Sequence, residues 1–473
     1  MTMEAPVLSA GKILKATGGS PFKGDAEWSC RGLSTDTRTL REGNLFIALT
    51  GDRFDGHDCL AAAAEKGAAG LLIRADHLEK LDAGIKDLPV ISVPDTLRAL
   101  GDIASMWRQR FSLPVVAITG SSGKTTTKEM IATIAARSRK ILATEGNLNN
   151  FIGLPQTLLR IRDEHELAVV EMGTNSPGEI ARLAAIAAPD IGLITNIGPA
   201  HLEGLGSLEA IREEKGALFQ VMKGRGTAII NHDDDAIGIL ARRRQGDCIT
   251  FGLKSGADIT ARRVEKGGPE GVRFNLFIDG IGVPVHLPVP GQHNVQNALA
   301  ASAAAWALGV EREEIIAGLA AFSPPPGRME IRRLGNGAFV IMDTYNANPA
   351  SMRESLMTLQ GLRKKGRTIA ILGDMLELGT QAQELHEGIG FILVKTGVDW
   401  VFLKGPLSRS TAAGAMKKGF PQERIAFFDD PEEILASLRS FLKKDDWILI
   451  KGSRKMKMEV VTESIISAFD LKP

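Results

Sequence analysis

Three observations in the 473-residue sequence predict an α/β protein of three domains. The segment VVAITGSSGKTTTKEM, Val115 to Met130, carries a short apolar run, a glycine-bearing turn with a lysine, and a helix-like continuation. Around it, apolar runs alternate with helical stretches up to a proline cluster at Ser323 to Gly327. Beyond those prolines a second, regular strand–helix alternation sets in. The boundaries fall at 1–112 for a small N-terminal α/β domain, 113–326 for a central P-loop-type parallel sheet with an antiparallel insertion, and 327–473 for a Rossmann-like domain. A prior of roughly 150 residues per domain gives the same number.

The N-terminal block carries strand-like LFIAL, AGLLI and LPVISV, joined by polar turns and helix-like stretches such as CLAAAAEKGA. In the central block LAVVEMG, IGLITNIG and TAIIN read as parallel strands separated by helical sequence. VRFNLFIDGIGVPVHLPV alternates and turns on glycines, which predicts an antiparallel insertion. The last block gives AFVIMDTY, RTIAILGD, WVFLKG, RIAFFDD and WILIKGSR as strands. No G-x-G-x-x-G turn follows its first strand, so a bound dinucleotide is not expected there.

The opening stretch predicts a phosphate site. Val115 to Ile118 read as a buried strand, and Ile131, Ile134 and Ala135 recur at helical spacing. Between them Gly120 and Gly123 let the backbone turn its N–H groups into one concavity at a helix N-terminus. Ser121, Ser122 and Thr126 line that turn, Lys124 adds a cation, and Thr125 a hydroxyl suited to magnesium. Only two residues separate the glycines, against four in the common P-loop. The coincidence of strand, Gly-Lys-Thr and helix still favours ATP or GTP over an ordinary turn.

Ligands of open α/β sheets collect at the carboxyl ends of strands. Those ends offer Glu171 after LAVV, and Asn196 to His201 in NIGPAHLEGLGS. Beside a phosphate loop, Glu171 reads as a magnesium ligand rather than a solvated strand end. His201 alone reads as a loop histidine. Lys215 shares a helical face with Leu208, Ile211, Leu218 and Met222. It either snorkels to solvent, faces a negative site, or, held neutral, takes up carbon dioxide as a metal-binding carbamate; by themselves these residues favour snorkelling. Asn348-Pro349 is a natural helix start. Asp374 suits a cap, and NHDDD at Asn231 to Asp235 a solvated turn.

Bulk properties exclude several classes. Lysine plus arginine (57) nearly equals aspartate plus glutamate (56), so no global field points to nucleic acid or an acidic membrane surface. The three cysteines have no CxxC spacing and cannot all pair, which suits a reducing compartment. MTMEAPVLSAGKIL does not read as a secretion signal, and no run approaches the roughly 18 apolar residues of a membrane span. A soluble, cytoplasmic, monomeric protein is expected.

Taken together, TGSSGKTTTK, TEGNLNNFIGLP, VVEMGTNSPGEI, TNIGPAHLEGLGS, EKGALF, GQHNVQNALAA, PPPGRME, DTYNANPASM, GDMLELG and KGSR resemble the Mur ligases of peptidoglycan synthesis, in order and over nearly the whole chain. DTRTLREGNLFIALTGDRFDGHD and the last three motifs are most similar to the member that adds D-alanyl-D-alanine to a UDP-N-acetylmuramoyl-tripeptide. The resemblance implies an ATP-dependent amide ligase acting through an acyl phosphate, with two magnesium ions. It places Ser34, Thr35, Asp36 and Arg38 near the uridine diphosphate, and Gly120 to Thr126 on the ATP phosphates. Thr125, Glu171 and His201 become magnesium ligands and Lys215 a carbamylated lysine, which reverses the readings of His201 and Lys215 above. Asn294 and Asn297 fall on the adenine side. Arg328 and Asp343 fall on ATP phosphate and ribose, and Asn149 and Asn150 near the reacting acyl group. Tyr345, Asn346, Lys451 and Arg454 fall to the dipeptide or the reacting centre. The alternatives are another amide ligase of the superfamily, of diaminopimelate-adding or folylpolyglutamate type, and a P-loop ATPase or GTPase switch. The N-K-x-D motif expected of a guanine binder is absent.

Overall fold

The computed structural model describes residues 6–24, 27–81, 85, 88–265 and 267–470. The first five residues of the N-terminal segment lie outside that set. The chain forms two compact units: Met1–Val115 with Lys140–Met172 and Arg182–Pro189, and Val116–Arg139 with Gly173–Ala181 and Asp190–Pro473.

In the first unit five strands form one sheet in the order Ser20–Lys23, Val90–Val93, Gly70–Arg74, Leu45–Ile47, Leu33–Ser34. Only the first pairing is antiparallel. Leu71, Leu72 and Ile73 are all buried, as expected of a parallel strand covered on both faces. Phe46, Leu60, Leu71, Ile73 and Val90 form the core on one side. Helix Thr96–Arg108 starts at Asp95, whose carboxylate accepts the Leu97 and Arg98 N–H groups. The strands Ile141–Ala143 and Leu167–Glu171 pair in parallel.

In the second unit, strand Val115–Thr119 pairs in parallel with Ile191–Ile194. Thr227–Asn231, Cys248–Gly252 and Ile259–Arg262 follow in parallel, then Val272–Ile278 and Ile281–Leu287 in antiparallel. The last two strands turn at Asp279-Gly280, both with positive φ (51° and 73°), the conformation of a tight primed hairpin turn. Helix Lys124–Ala135 packs on the alanine-rich helix Gln292–Ala307, whose small side chains permit the approach.

The same unit holds a six-stranded sheet in the order Glu330–Arg333, Phe339–Asp343, Trp447–Lys451, Thr368–Gly373, Trp400–Lys404, Ile425–Phe427. Its first pairing is antiparallel and the rest parallel. Glu330–Arg333 was not legible as a strand, because EIRR offers one apolar residue and its pairing supplies what its composition lacks. Register places Asp343 opposite Lys451 and Gly373 opposite Lys404, so the motif-bearing ends share one edge. Among the described residues no helix is long and apolar enough to cross a membrane.

Candidate active site

The phosphate loop is built as the sequence requires. Gly120 (φ 147°) and Gly123 (φ 78°) both lie where side chains are disfavoured. A Cβ at Gly120 would stand 1.9 Å from Thr195 Oγ1, and one at Gly123 would stand 2.4 Å from Asn297 Oδ1. Helix Lys124–Ala135 begins directly after Gly123, and Lys124 Nζ donates to Gly120 O at 2.8 Å. Thr125 and Thr126 lie buried in its first turn.

The segment following strand Ile191–Ile194 clamps this loop. Asn196 Oδ1 accepts from Ser122 N (3.0 Å) and Ser122 Oγ (3.1 Å), while Asn196 Nδ2 donates to Ser122 O at 3.1 Å. Thr195 Oγ1 donates to the same Ser122 O at 2.6 Å. Ser121 Oγ donates to Gly198 O and accepts from Gly198 N, both at 2.9 Å. Three residues on, His201 takes a left-handed backbone (φ 57°) and its Nδ1 meets Glu377 Oε2 at 2.8 Å. With Nδ1–H donated to a carboxylate, the lone pair of the neutral ring is at Nε2.

Lys215 sits in helix Leu208–Met222 and is 1% exposed. It does not snorkel. Ile211, Leu218 and Met222 share its buried face, whereas Leu208, in the first turn, is 49% exposed and stands outside it. Burial, with the Lys124 cation adding to it, lowers the Lys215 amine to about 7. Its neighbour Glu214 is engaged elsewhere, accepting from Thr174 Oγ1, Gly178 N and Ile180 N at 3.1, 2.6 and 2.7 Å.

Asn294 and Asn297 are buried and joined, Asn297 Nδ2 donating to Asn294 Oδ1 at 3.1 Å. They lie under the loop at Gly123, with Thr127 Oγ1 3.4 Å from Asn297 Oδ1. The C-terminal motifs reach the same loop. Asn348 Nδ2 donates to Ser121 O at 3.2 Å, and Asn348 also caps helix Pro349–Leu362 through a reciprocal bond pair with Ser351. Asn348 thus makes the helix start expected within YNANP and also reaches the phosphate loop.

Lys451 and Asp343 form an ion pair of 2.5 Å, extended by Ser355 Oγ at 2.6 Å from Asp343 and by Asn346 O at 3.1 Å from Lys451. Burial alone would raise the Asp343 carboxyl, but Lys451 and Ser355 hold it below its ordinary value. Arg328 lies over the Tyr345 ring at 4.0 Å and Arg454 at 5.7 Å, and Arg454 N donates to Asn346 Oδ1 at 3.3 Å. Arg328, Asp343, Tyr345, Asn346, Lys451 and Arg454 therefore cluster. Asp374, 1% exposed, does not cap the turn of its own motif as expected but accepts from Leu407 N, 33 residues on, at 3.0 Å.

NHDDD is the expected turn after strand Thr227–Asn231, with His232 and Asp235 exposed, but two of its acids are engaged. Asp234 caps helix Asp235–Arg242 and accepts Ile197 N at 2.8 Å; Asp233 accepts Leu253 N at 2.7 Å and Lys254 N at 2.9 Å. Its acids fasten loops, including the one that carries His201.

In the first unit Asn149 Nδ2 donates to Glu171 Oε1 at 2.8 Å, and Asn150 Oδ1 accepts Ile152 N and Gly153 N at the start of helix Gly153–Leu158. Glu171 is 2% exposed. Ser34 and Asp36 form a tight turn in which Arg38 pairs with Asp36 at 2.6 Å and lowers its carboxyl to about 2. Gln156 Nε2 donates to Thr35 Oγ1 at 3.3 Å, linking that turn to the helix after Asn150. The Arg38 guanidinium remains open to solvent.

Asp55, His57 and His77 cluster closely enough to suggest a metal. The tautomer argues against it. His57 Nε2 accepts the Arg74 N–H at 3.0 Å, so Nδ1 keeps its proton for Asp55 at 2.6 Å and has no lone pair for an ion. Lys80 neutralises Asp55 at 2.8 Å.

Hard oxygen donors suit magnesium, and within the second unit Thr125 supplies a hydroxyl for it. In the same unit His201 adds a ring nitrogen. The residues fit such an ion.

Family models agree with this geometry. Those described as Mur ligase family, catalytic domain, as Mur ligase middle domain and as Mur ligase, glutamate ligase domain match residues 29–108, 118–305 and 327–454. UDP-N-acetylmuramoyl-tripeptide–D-alanyl-D-alanine ligase of Bacillus subtilis (strain 168) is 36% identical over 92% of this chain and 93% of its own length. The chain belongs to the Mur ligase family. A crystal structure of MurF from Acinetobacter baumannii superposes with a TM-score of 0.89 at 32% identity, covering 98% of this chain and 99% of that one. MurF ligase from Thermotoga maritima, in complex with ADP, gives 0.82 at 30% identity over 93% and 97% of the two chains.

Within the Mur ligase fold, sequence reasoning missed Asn196, Glu214 and Glu377 as organisers. Asn196 stood at a strand end, the one available signal. Glu214 was overshadowed by Lys215. The left-handed backbone at Glu377 (φ 63°) has no signature in an acidic residue.

Proposed function

We propose that this protein is an ATP-dependent ligase joining D-alanyl-D-alanine to UDP-N-acetylmuramoyl-tripeptide, forming UDP-N-acetylmuramoyl-pentapeptide, ADP and phosphate in the cytoplasm. One observation carries the reading: a phosphate loop clamped by Thr195 and Asn196 and touched by Asn348, in a chain alignable over nine tenths of its length with ligases named for that reaction.

A carboxylate and an amine do not condense in neutral water, since the amine protonates and hydroxide leaves poorly. Transfer of the γ-phosphoryl of ATP to the terminal carboxylate of the tripeptide gives an acyl phosphate and ADP. The dipeptide amine attacks the acyl carbon, loses a proton, and the tetrahedral intermediate expels phosphate to leave the amide. Both partners in the first step are anions, so Lys124 and the loop N–H groups must stabilise charge that accumulates there. Magnesium, when bound, would offset the same charge, with Thr125, Glu171, His201 and a carbamate on Lys215 as its ligands. The carbamate forms when a neutral amine adds to carbon dioxide and releases a proton, which an amine near 7 can do.

Three blocks divide the work: 1–112 for the uridine diphosphate, through Ser34, Thr35, Asp36 and Arg38; 113–326 for ATP, with Asn294 and Asn297 on the base; 327–473 for the dipeptide. Arg328 and Asp343 serve the nucleotide. Asn149 and Asn150 lie by the acyl group, and Tyr345, Asn346, Lys451 and Arg454 serve the incoming amine or the reacting centre.

Phosphate release from ATP tests the reading, with the UDP-tripeptide and the dipeptide omitted in turn. Release that needs both is expected. Release indifferent to both overturns it.

A further inference from the structure

No role falls to Glu377 in the ligation chemistry above. It belongs to GDMLELG, 176 residues from His201, yet its Oε2 lies 2.8 Å from His201 Nδ1. The contact is built rather than incidental. Both residues hold left-handed backbones (φ 57° and 63°), conformations that cost non-glycine residues about 1–2 kcal/mol each. Beside them Glu203 N donates to Glu377 O at 3.1 Å. Leu202, Leu205 and Ile211 form a small core against which Leu385 packs. Two strained loops are thus held together by a side-chain bond, a backbone bond and an apolar contact.

We propose that Glu377 is a positioning residue that fixes His201 as a metal ligand, so that docking of the 373–379 loop is registered at the nucleotide's metal site. A carboxylate accepting Nδ1–H locks one tautomer and one ring orientation and leaves Nε2 to bind the ion. Removing such partners typically weakens metal binding by about 10–100-fold. The loop that carries His201 is itself bonded to Ser121 through Gly198, so ring orientation and phosphate loop share one support. The inference rests on the ligand role given to His201 under the proposed function.

The test uses the full chain with Mn2+ and a non-hydrolysable ATP analogue, so it needs no ligation. Mn2+ affinity is read from the free-ion resonance, and histidine ligation from 14N modulation in pulsed EPR. Glu377→Ala is expected to weaken Mn2+ about 10-fold and to diminish the 14N signal. Glu377→Gln, whose amide oxygen still accepts Nδ1–H, should retain the signal. His201→Ala should abolish it, and the double variant His201→Ala/Glu377→Ala should bind no more weakly than His201→Ala alone. Should Glu377→Ala melt at the assay temperature, Glu377→Met, which keeps the apolar stem, replaces it. Unchanged affinity and modulation in Glu377→Ala, or in Glu377→Met where it stands in, would overturn the proposal, as would a double variant weakened by the product of the single losses. A His201→Ala variant that keeps the 14N signal would overturn the ligand role itself, and phosphate release that needs neither acceptor would strike only the ligase reading.

Discussion

Lys215 and Lys451 are both buried lysines, 1% and 2% exposed, and they live by opposite rules. Lys451 ends a strand with a carboxylate directly opposite, 2.5 Å away, and a backbone carbonyl beyond it. Lys215 lies mid-helix with a cation, Lys124, in its field and makes no ion pair among the described residues. The adjacent Glu214 gives its oxygens to Thr174, Gly178 and Ile180. One ammonium is balanced by a partner, while burial drives the other toward its neutral form. The contrast teaches that a buried lysine's role depends on whether a carboxylate stands opposite its amine.

The largest effect is expected at Lys124, the cation that separates the two environments. Lys124→Ala should reduce turnover about 10³-fold or more while circular dichroism and melting stay unchanged. Retained phosphate release would remove the loop from the reaction. Next, Lys451→Met strands the Asp343 carboxylate and should cost about 3–5 kcal/mol in denaturant unfolding. A smaller loss would mean the pair is not the anchor described. Lys215→Ala should lower turnover about 10–100-fold, with partial recovery on adding formate or acetate, whose carboxylate replaces the carbamate's. Full activity without additive would rule the carbamate out.

The last effect is a pH dependence. The amine of folded Lys215 sits near 7, below its ordinary 10.5. Between those values the unfolded chain binds more protons, so stability should rise with pH across that window. In carbon dioxide-free buffer the difference in unfolding free energy between the unaltered protein and Lys215→Met should therefore climb from about pH 7 to 10.5. A flat difference would show that this amine is not held neutral.

Most of this architecture was legible. The apolar runs fixed the strand positions, Asn348-Pro349 announced a helix start, and Gly120 and Gly123 marked a loop that only glycine satisfies. Lys215 was misjudged on local grounds, since helical periodicity finds a face but not what covers it. His201 does sit in a loop, but its hydrogen-bond partner lies in a motif 176 residues away and could not be read locally. NHDDD looked solvated until long-range bonds to Ile197, Leu253 and Lys254 appeared. Glu330–Arg333 was missed because edge pairing, not composition, makes it a strand. What sequence withholds is tertiary partnership.

Asn196 holds Ser122 by three bonds, Thr195 adds one to Ser122 and Gly198 two to Ser121, all from within the protein. An incoming triphosphate therefore meets a cradle whose freedom was already surrendered when the chain folded. Little of the nucleotide's attraction is then diverted into shaping its receptor. Trimming the Asn196 amide should accordingly slow capture and loosen grip together, although no atom of that side chain need touch the guest.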